Sequence, residues 1–172
     1  MIELLNDRAA LERINADDIS SLTDRATEAT FYADALTPEQ VEANRNVVRI
    51  AAKTALAACA NDHQHFTAAF VDGRFAGYVI STVHAPDDRE LDWLMVHPEF
   101  HGTDVSGALM GAGMEWLGLN QPMWLNVIQH NERAIRFYRK HGFEVDCDAA
   151  IEKIVPHFIM RRHRTWMSPK GP

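Results

Sequence analysis

The sequence contains little cysteine and no long apolar run. Cys59 and Cys147 are the two cysteines among 172 residues, too few for a disulfide framework, so we expect a protein of the reducing cytoplasm. A membrane-spanning helix needs about 18 apolar residues, and Glu115 interrupts the stretch that comes nearest. The first residues also lack the basic segment and apolar core of a signal peptide, so we expect no membrane association and no secretion.

Basic residues are outnumbered, because 17 Lys and Arg stand against 24 Asp and Glu and give a net charge of −7. This excess of acid disfavours a nucleic-acid-binding protein, which needs a positive surface for the phosphates. His63 and His65 could share one strand face, but no cysteine or acidic cluster completes a metal site, so we expect no metal. The Walker loop, the dinucleotide fingerprint and the nucleophile elbow are also missing from the sequence.

The first third of the chain has the periodicity of helices. Together with an ordinary globular composition, 47% hydrophobic and 24% charged, it predicts one domain over residues 1–172. A first helical face repeats every three or four positions: Ile19, Leu22, Ala26, Ala29, Ala33 and Leu36. Thr37, Pro38 and Gln40 are typical of a capping box that begins a second helix.

The remainder alternates strands and helices. Asp72 and Gly73 predict a tight turn between strands at 65–71 and 75–84. The other predicted strands lie at 90–97, 123–129, 143–148 and 157–162, and the other predicted helices at 105–116 and 131–141. This order predicts an α+β (mixed α/β) domain in which helices cover both faces of a mixed sheet.

Two segments in this second half carry chemistry. In residues 94–109 a strand leads through a loop with Gly102 into a helix, so that loop amides and the helix N-terminus converge where a pyrophosphate fits. Residues 131–143 form a helix that begins at the capping residue Asn131 and stops at Gly142. Neither segment alone is typical of one class of protein, but the combination of the two is.

Together the segments resemble the GNAT family, the acetyl-CoA-dependent N-acetyltransferases, over about residues 66–143. The resemblance rests on these residues: Leu94, Val96, Pro98, Phe100, Asn131, Ala134, Ile135, Phe137, Tyr138, Gly142 and Phe143. It implies a central mixed sheet of about six to seven strands. It also implies acetyl-CoA as the cosubstrate and an amine as the acetyl acceptor.

The resemblance implies roles for single residues. The backbone of Leu94, Met95 and Val96 pairs with the pantetheine arm, and a gap beside this strand admits the thioester. Asn131 contacts the cosubstrate, and Tyr138 protonates the departing thiolate, as a phenol can. The pyrophosphate lies on the amides of the loop, whose residues are Gly102, Thr103, Asp104, Val105, Ser106 and Gly107.

The loop departs from the family at three positions, where His101, Asp104 and Ser106 replace the usual Gln or Arg, Gly, and Gly or Ala. We expect Ser106 to be tolerated and His101 to donate to a phosphate. Asp104 adds a carboxylate beside the pyrophosphate and is a natural helix cap, and either property weakens anion binding.

The general base has three candidates. Glu90 and Asp92 are two apart on a predicted strand and should face the same side of the sheet. Either could deprotonate an ammonium group, or both could merely form an acidic rim. His84, at the end of the preceding strand, is the third candidate, and Asn126 stands where many relatives have a carboxylate. Asn131 and Tyr138 also have structural interpretations, as a helix cap and a core aromatic.

Two functions therefore remain open. The first is a cytoplasmic N-acetyltransferase in which a small-molecule or peptide amine attacks acetyl-CoA, or another acyl-CoA, directly in a ternary complex. Segments near residues 26–44 and 149–157 would select the acceptor, and the last strands would allow a homodimer. The second is a GNAT-fold binding module that has lost catalysis, which the altered loop and Asn126 favour.

Overall fold

The computed structural model describes residues 1–149, 151 and 153–164. The end of the predicted domain, residues 165–172, lies outside the described residues. The strands are β1 (Ile2–Asn6), β2 (Gln64–Val71), β3 (Arg74–Ala85), β4 (Asp88–Val96), β5 (Met123–Ile128), β6 (Glu144–Val145) and β7 (His157–Arg162). The α-helices are α1 (Asp7–Leu11), α2 (Ala16–Phe31), α3 (Pro38–Ala58), α4 (Val105–Leu117) and α5 (Glu132–Lys140).

The strands form one mixed sheet of seven, in the order β1-β2-β3-β4-β5-β7-β6. β4 and β5 are parallel, and the other neighbours are antiparallel. α4 and α5 pack on one face through residues such as Leu109 and Ile135, and α1, α2 and α3 pack on the other through residues such as Ile19 and Ala55. The predicted fold class is confirmed. No helix that the structure describes has the length and apolarity to cross a membrane.

The predicted hairpin and capping box are both present. Asp72 and Gly73 have positive φ angles of 48° and 81° and join β2 to β3, as a tight hairpin turn requires. At the start of α3, Thr37 Oγ1 accepts from the Gln40 N–H at 3.2 Å, and Gln40 Oε1 accepts from the Thr37 N–H at 3.0 Å. Local sequence is sufficient for both features because all their partners lie within four residues.

The structure differs from the prediction at two boundaries and at one strand that the sequence did not predict. α2 ends at Phe31, before Ala33 and Leu36, where the Asn44 amide of α3 donates to the Phe31 carbonyl at 3.0 Å and satisfies one of the carbonyls at the helix end. β1 was not predicted, since an edge strand with only partly buried Ile2 and Leu5 carries little hydrophobic signal. β6 contains only two residues of the predicted strand 143–148 and then leaves the sheet.

Candidate active site

Strands β4 and β5 meet at one point and then separate. Their parallel ladder contains a single Cα pair, Glu90 with Trp124, whereas β4 pairs with β3 along nearly all of its length. The C-terminal half of β4 thus has one edge without a strand partner in the part of the chain that the structure describes. Such an edge offers backbone hydrogen bonds to an extended ligand.

The open edge of β4 presents the N–H groups of Leu94 and Val96. His97 donates its N–H to the Ala76 carbonyl of β3 at 2.9 Å, and hydrogen-bonded and non-hydrogen-bonded pairs alternate along an antiparallel ladder. Met95 is therefore directed toward β3, and its two neighbours toward the gap. Backbone N–H groups in this position can polarise a carbonyl group.

A bulge in β4 lies next to two carboxylates that share one face of the sheet, Glu90 and Asp92. The register to β3 shifts here, so that Asp92 has no partner in the ladder. Leu91 and Trp93, which would share a face in a regular strand, consequently pack on opposite faces. Thr82 is the ladder partner of Glu90 and donates to Asp92 at 3.3 Å. Both carboxylates therefore lie on the α2–α3 face, which confirms the predicted common side.

Glu90 is the more deeply buried carboxylate, with 6% of its surface exposed. Its Oε2 lies 2.7 Å from His84 Nε2, and its Oε1 accepts from the Asn126 amide at 3.3 Å. Burial, assisted by the Asp92 charge, raises the pKa of Glu90. The hydrogen bond to Glu90 raises the pKa of His84 in turn.

Asp92 faces a cavity of about 640 Å³ between the sheet and the helices α2 and α3. Burial raises the pKa of its carboxyl group above the ordinary value, and the Thr82 hydrogen bond and the charges of His84 and Lys153 oppose that shift. The cavity continues through the gap between β4 and β5 to α5. Its apolar walls include Ala26, Phe31, Ala43, Val47, Ile50 and Trp93.

Tyr138 and Asn131 line the α5 end of this cavity. Burial raises the pKa of Tyr138 to about 12, and its ring packs edge-on against Phe137 and Phe143. The hydroxyl bonds to no described residue, and Tyr138 lines the cavity, so the hydroxyl can meet a ligand there. Asn131 Oδ1 caps α5 by accepting from the Ala134 N–H at 3.1 Å.

The loop before α4 keeps several N–H groups free. Among the described residues, none accepts a hydrogen bond from the backbone N–H groups of Gly102, Asp104, Ser106 or Gly107. The prediction that Asp104 caps α4 is wrong, because its side chain makes no capping bond and its backbone is helical rather than extended. Thr103 Oγ1 instead accepts from the Val105 N–H, at 3.4 Å.

Both ring nitrogens of His101 form hydrogen bonds with neighbouring protein groups. Its Nε2 lies 3.0 Å from the Val96 carbonyl oxygen, and its Nδ1 accepts from the Arg133 guanidinium at 2.8 Å. A carbonyl only accepts and a guanidinium only donates, so the imidazole carries its proton on Nε2. Burial, followed by the Arg133 charge, lowers the pKa of His101. The N–H expected to reach a phosphate therefore joins β4 to the loop in this structure.

A sequence model of the Acetyltransferase (GNAT) family matches residues 25–143. The chain belongs to the GNAT acetyltransferase family. The expected cosubstrate, acetyl-CoA, is that of the family, and the open edge of β4, the free loop amides and the available Tyr138 hydroxyl fit it.

Relatives and solved structures agree with this membership. The chain is 39% identical over 79 residues to a Mycobacterium tuberculosis protein described as an uncharacterized N-acetyltransferase, a match of 44% of this chain and 49% of that protein. The matched segment thus spans about half the length of the curated relative. The fold resembles PaiA N-acetyltransferase from Thermoplasma acidophilum in complex with coenzyme A, with a TM-score of 0.70, 21% identity and coverage of 95% and 99% of the two chains. An acetyltransferase from Streptococcus agalactiae gives a TM-score of 0.66, 13% identity and coverage of 94% and 98%.

For this GNAT chain, the predicted site residues fall into three groups. Leu94, Met95, Asp92, Asn131 and Tyr138 line one cavity. Glu90 bonds to His84 and Asn126 and does not line the cavity. Val96, His101 and the loop residues 102–107 also lie outside its lining. Sequence reasoning missed Thr82 and Lys153, because only strand register and a returning loop bring them to the acids.

Proposed function

We propose that this protein is an N-acetyltransferase that transfers the acetyl group of acetyl-CoA to an amine by direct attack in a ternary complex. The observation that carries the proposal is the gap between β4 and β5, which has Asp92 at one end and Tyr138 at the other. A gap with a carboxylate and a phenol on opposite sides suits an amine and a thioester that meet in the middle.

The loop and the open strand edge hold the acetyl donor in this proposal. Free amides at residues 102–107 and the N-terminus of α4 take the pyrophosphate, with Asn131 as a further contact. Leu94 and Val96 direct their N–H groups toward the thioester carbonyl and stabilise the negative charge that develops on it. Acetyl-CoA supplies the activated acyl group when it is bound.

Asp92 is our choice for the general base. It lines the cavity, whereas Glu90 is engaged by His84 and Asn126. A carboxyl group with a raised pKa is a stronger base than an ordinary one and takes a proton from an ammonium ion more readily. Glu90 and His84 then act as positioning residues that hold the acid cluster together.

Tyr138 is our choice for the general acid. Its hydroxyl is available on the α5 side of the gap, and the raised pKa keeps it protonated at neutral pH. It donates to the sulfur as the thiolate leaves and regains a proton from solvent. We further propose that the chain forms a single catalytic domain of the cytoplasm.

Calorimetric titration with acetyl-CoA, followed by measurement of thiol release with a panel of amines, tests the proposal. We expect micromolar binding and amine-dependent release of CoA. A protein that binds no acetyl-CoA up to millimolar concentration would contradict it and support the non-catalytic module.

A further inference from the structure

The part of the cavity between the sheet and the helices α2 and α3, here called the acceptor side, is lined by one negatively charged and one positively charged side chain. Among the described residues that line the cavity, Asp92 is the one carboxylate and Lys153 the one lysine or arginine. His157 also lines it, but burial lowers the pKa of that imidazole and favours its neutral form. A ligand that matches this wall has one ammonium group and one anionic group.

Lys153 belongs to the acceptor side rather than to the side of α5. Its charge lowers the pKa of both Asp92 and Glu90, so the ammonium group lies within electrostatic range of the acids. The residue after Lys153 is hydrogen-bonded to α3, since the Gln40 side-chain amide donates to the Ile154 carbonyl at 3.1 Å. This bond holds the loop that carries Lys153 against the start of α3.

The rest of the acceptor side is mostly apolar, with Thr27, Thr30 and Asn44 as further polar lining residues. Phe31, Val47, Ile50 and Trp93 contribute side chains from α2, α3 and β4, and Ile154 and Val155 come from the loop. An apolar wall stabilises an apolar side chain by burial but disfavours a second unpaired charge. A polyamine would bring further ammonium groups to this wall and would be repelled by Lys153.

We propose that the acceptor is a free α-amino acid with an apolar side chain, which places its ammonium group at Asp92 and its carboxylate at Lys153. This inference rests on the proposed acetyl transfer at the same site. The amine nitrogen forms a bond to the acetyl carbon while the carbon–sulfur bond breaks. The ammonium group loses two protons, and Asp92 accepts each in turn and releases it to solvent. Tyr138 donates one proton to the leaving sulfur and regains one from solvent, so that one proton is released per acetyl group transferred.

A matched set of amines tests the substrate class. L-Phenylalanine, L-phenylalaninamide and 1,4-diaminobutane are compared by thiol release from acetyl-CoA. The amide keeps the aromatic side chain but lacks the carboxylate, and the diamine has neither. We expect kcat/KM for phenylalanine to exceed the values for the amide and the diamine by about tenfold or more. Both of those amines lack the carboxylate and so lose the charge-assisted contact with Lys153.

Substitution of the lysine tests the proposed contact. We expect Lys153→Met to lower kcat/KM for phenylalanine about tenfold, through KM, and to leave the amide within about twofold. Lys53→Met, at an exposed position of α3, should change neither value. An equal effect of Lys153→Met on acid and amide would overturn the inference.

The two proposals fail in different ways. If acetyl-CoA binds and releases thiol with the amide or the diamine at least as well as with phenylalanine, the amino-acid class is wrong and the acetyltransferase stands. If acetyl-CoA binds and no amine of the set reacts, the class is also wrong. If acetyl-CoA does not bind, the proposed function fails and the inference fails with it.

Discussion

Individual residues at the gap have properties set by where the strands place them. Asp92 and Glu90 share a face because they are two residues apart on β4, yet only Asp92 lines the cavity. Burial raises the pKa of both carboxyl groups and of the Tyr138 hydroxyl. The same shift makes the carboxylates better bases and the phenol a weaker acid, and each consequence can be measured.

Replacing Asp92 with Asn should lower kcat about a hundredfold, because the amide cannot accept the proton of the acceptor amine. Glu90→Gln should lower kcat less, about tenfold, if Glu90 positions the cluster without touching the amine. Steady-state kinetics with the best amine measures both. Asp87→Asn, an exposed carboxylate in the β3–β4 turn, is the control and should behave as the unmodified protein. A larger loss in Glu90→Gln than in Asp92→Asn would reverse the assignment.

The pH dependence of kcat should follow the ionisation of the Asp92 carboxyl group. In the proposed mechanism activity requires the ionised carboxylate, so we expect kcat to fall as the pH drops through the pKa of Asp92. Since burial raises that pKa, the fall should begin above the range of an ordinary aspartate, whose pKa is about 3.9. Removing the Lys153 charge should move the fall to still higher pH, because that charge lowers the pKa of Asp92. A profile that Lys153→Met leaves unchanged would argue against Asp92 as the base.

Tyr138→Phe should lower kcat about a hundredfold, at the lower end of what general acids contribute, because a phenol with a raised pKa is a weak acid. KM for acetyl-CoA should change little, since the ring remains. Pre-steady-state thiol release measures the chemical step directly. Unchanged acetyl transfer in this variant would show that Tyr138 is only an aromatic residue of the core.

Among the elements, we expect the loop and α4 to determine how tightly the pyrophosphate is bound. The N-terminus of α4 offers free amides, and a helix N-terminus carries partial positive charge. Asp104 stands at this end, exposed and without a capping bond. Its charge opposes an anion without blocking the amides.

Asp104→Asn should therefore tighten acetyl-CoA binding by about threefold at low ionic strength, in keeping with the size of helix-terminus charge effects. The gain should shrink as salt screens the charge. Calorimetric titrations at two salt concentrations measure both effects, with the exposed Asp62 changed to Asn as the control. Equal or weaker binding by Asp104→Asn would mean that the carboxylate does not oppose the pyrophosphate.

In the whole molecule, the sheet separates two hydrophobic cores, and the paired strands β3 and β4 contribute side chains to both of them. Gly77 lies where this pair meets α4, and a Cβ there would lie 2.5 Å from the Met95 carbonyl oxygen and 2.9 Å from Leu109 Cδ1. Backbone on one side and a buried side chain on the other leave no room for a methyl group.

Gly77→Ala should consequently lower the free energy of unfolding by about 1–3 kcal/mol, the usual effect of overpacking. Gly111→Ala is the matched variant, because a Cβ there meets nothing within 4 Å, and it should stabilise α4 by about 0.5–1 kcal/mol. Urea unfolding of both variants measures the difference. A neutral Gly77→Ala would show that β3 and β4 can move apart.

Features with partners nearby in the chain were predictable from the sequence. The capping box at Thr37, the turn at Asp72 and the fold class all follow from local pattern. The two segments at 94–109 and 131–143 also carry the family resemblance that the family match over residues 25–143 confirms.

Features that depend on distant partners were not predictable from the sequence. The bulge that leaves Asp92 without a ladder partner and places Trp93 on the same face as the carboxylates forms only against β3. The contact between Arg133 and His101 spans 32 positions. Lys153 reaches the acids through a loop that Gln40 holds from 114 positions away. Local propensity cannot encode these contacts, because register, burial and charge proximity arise only when separate elements pack together.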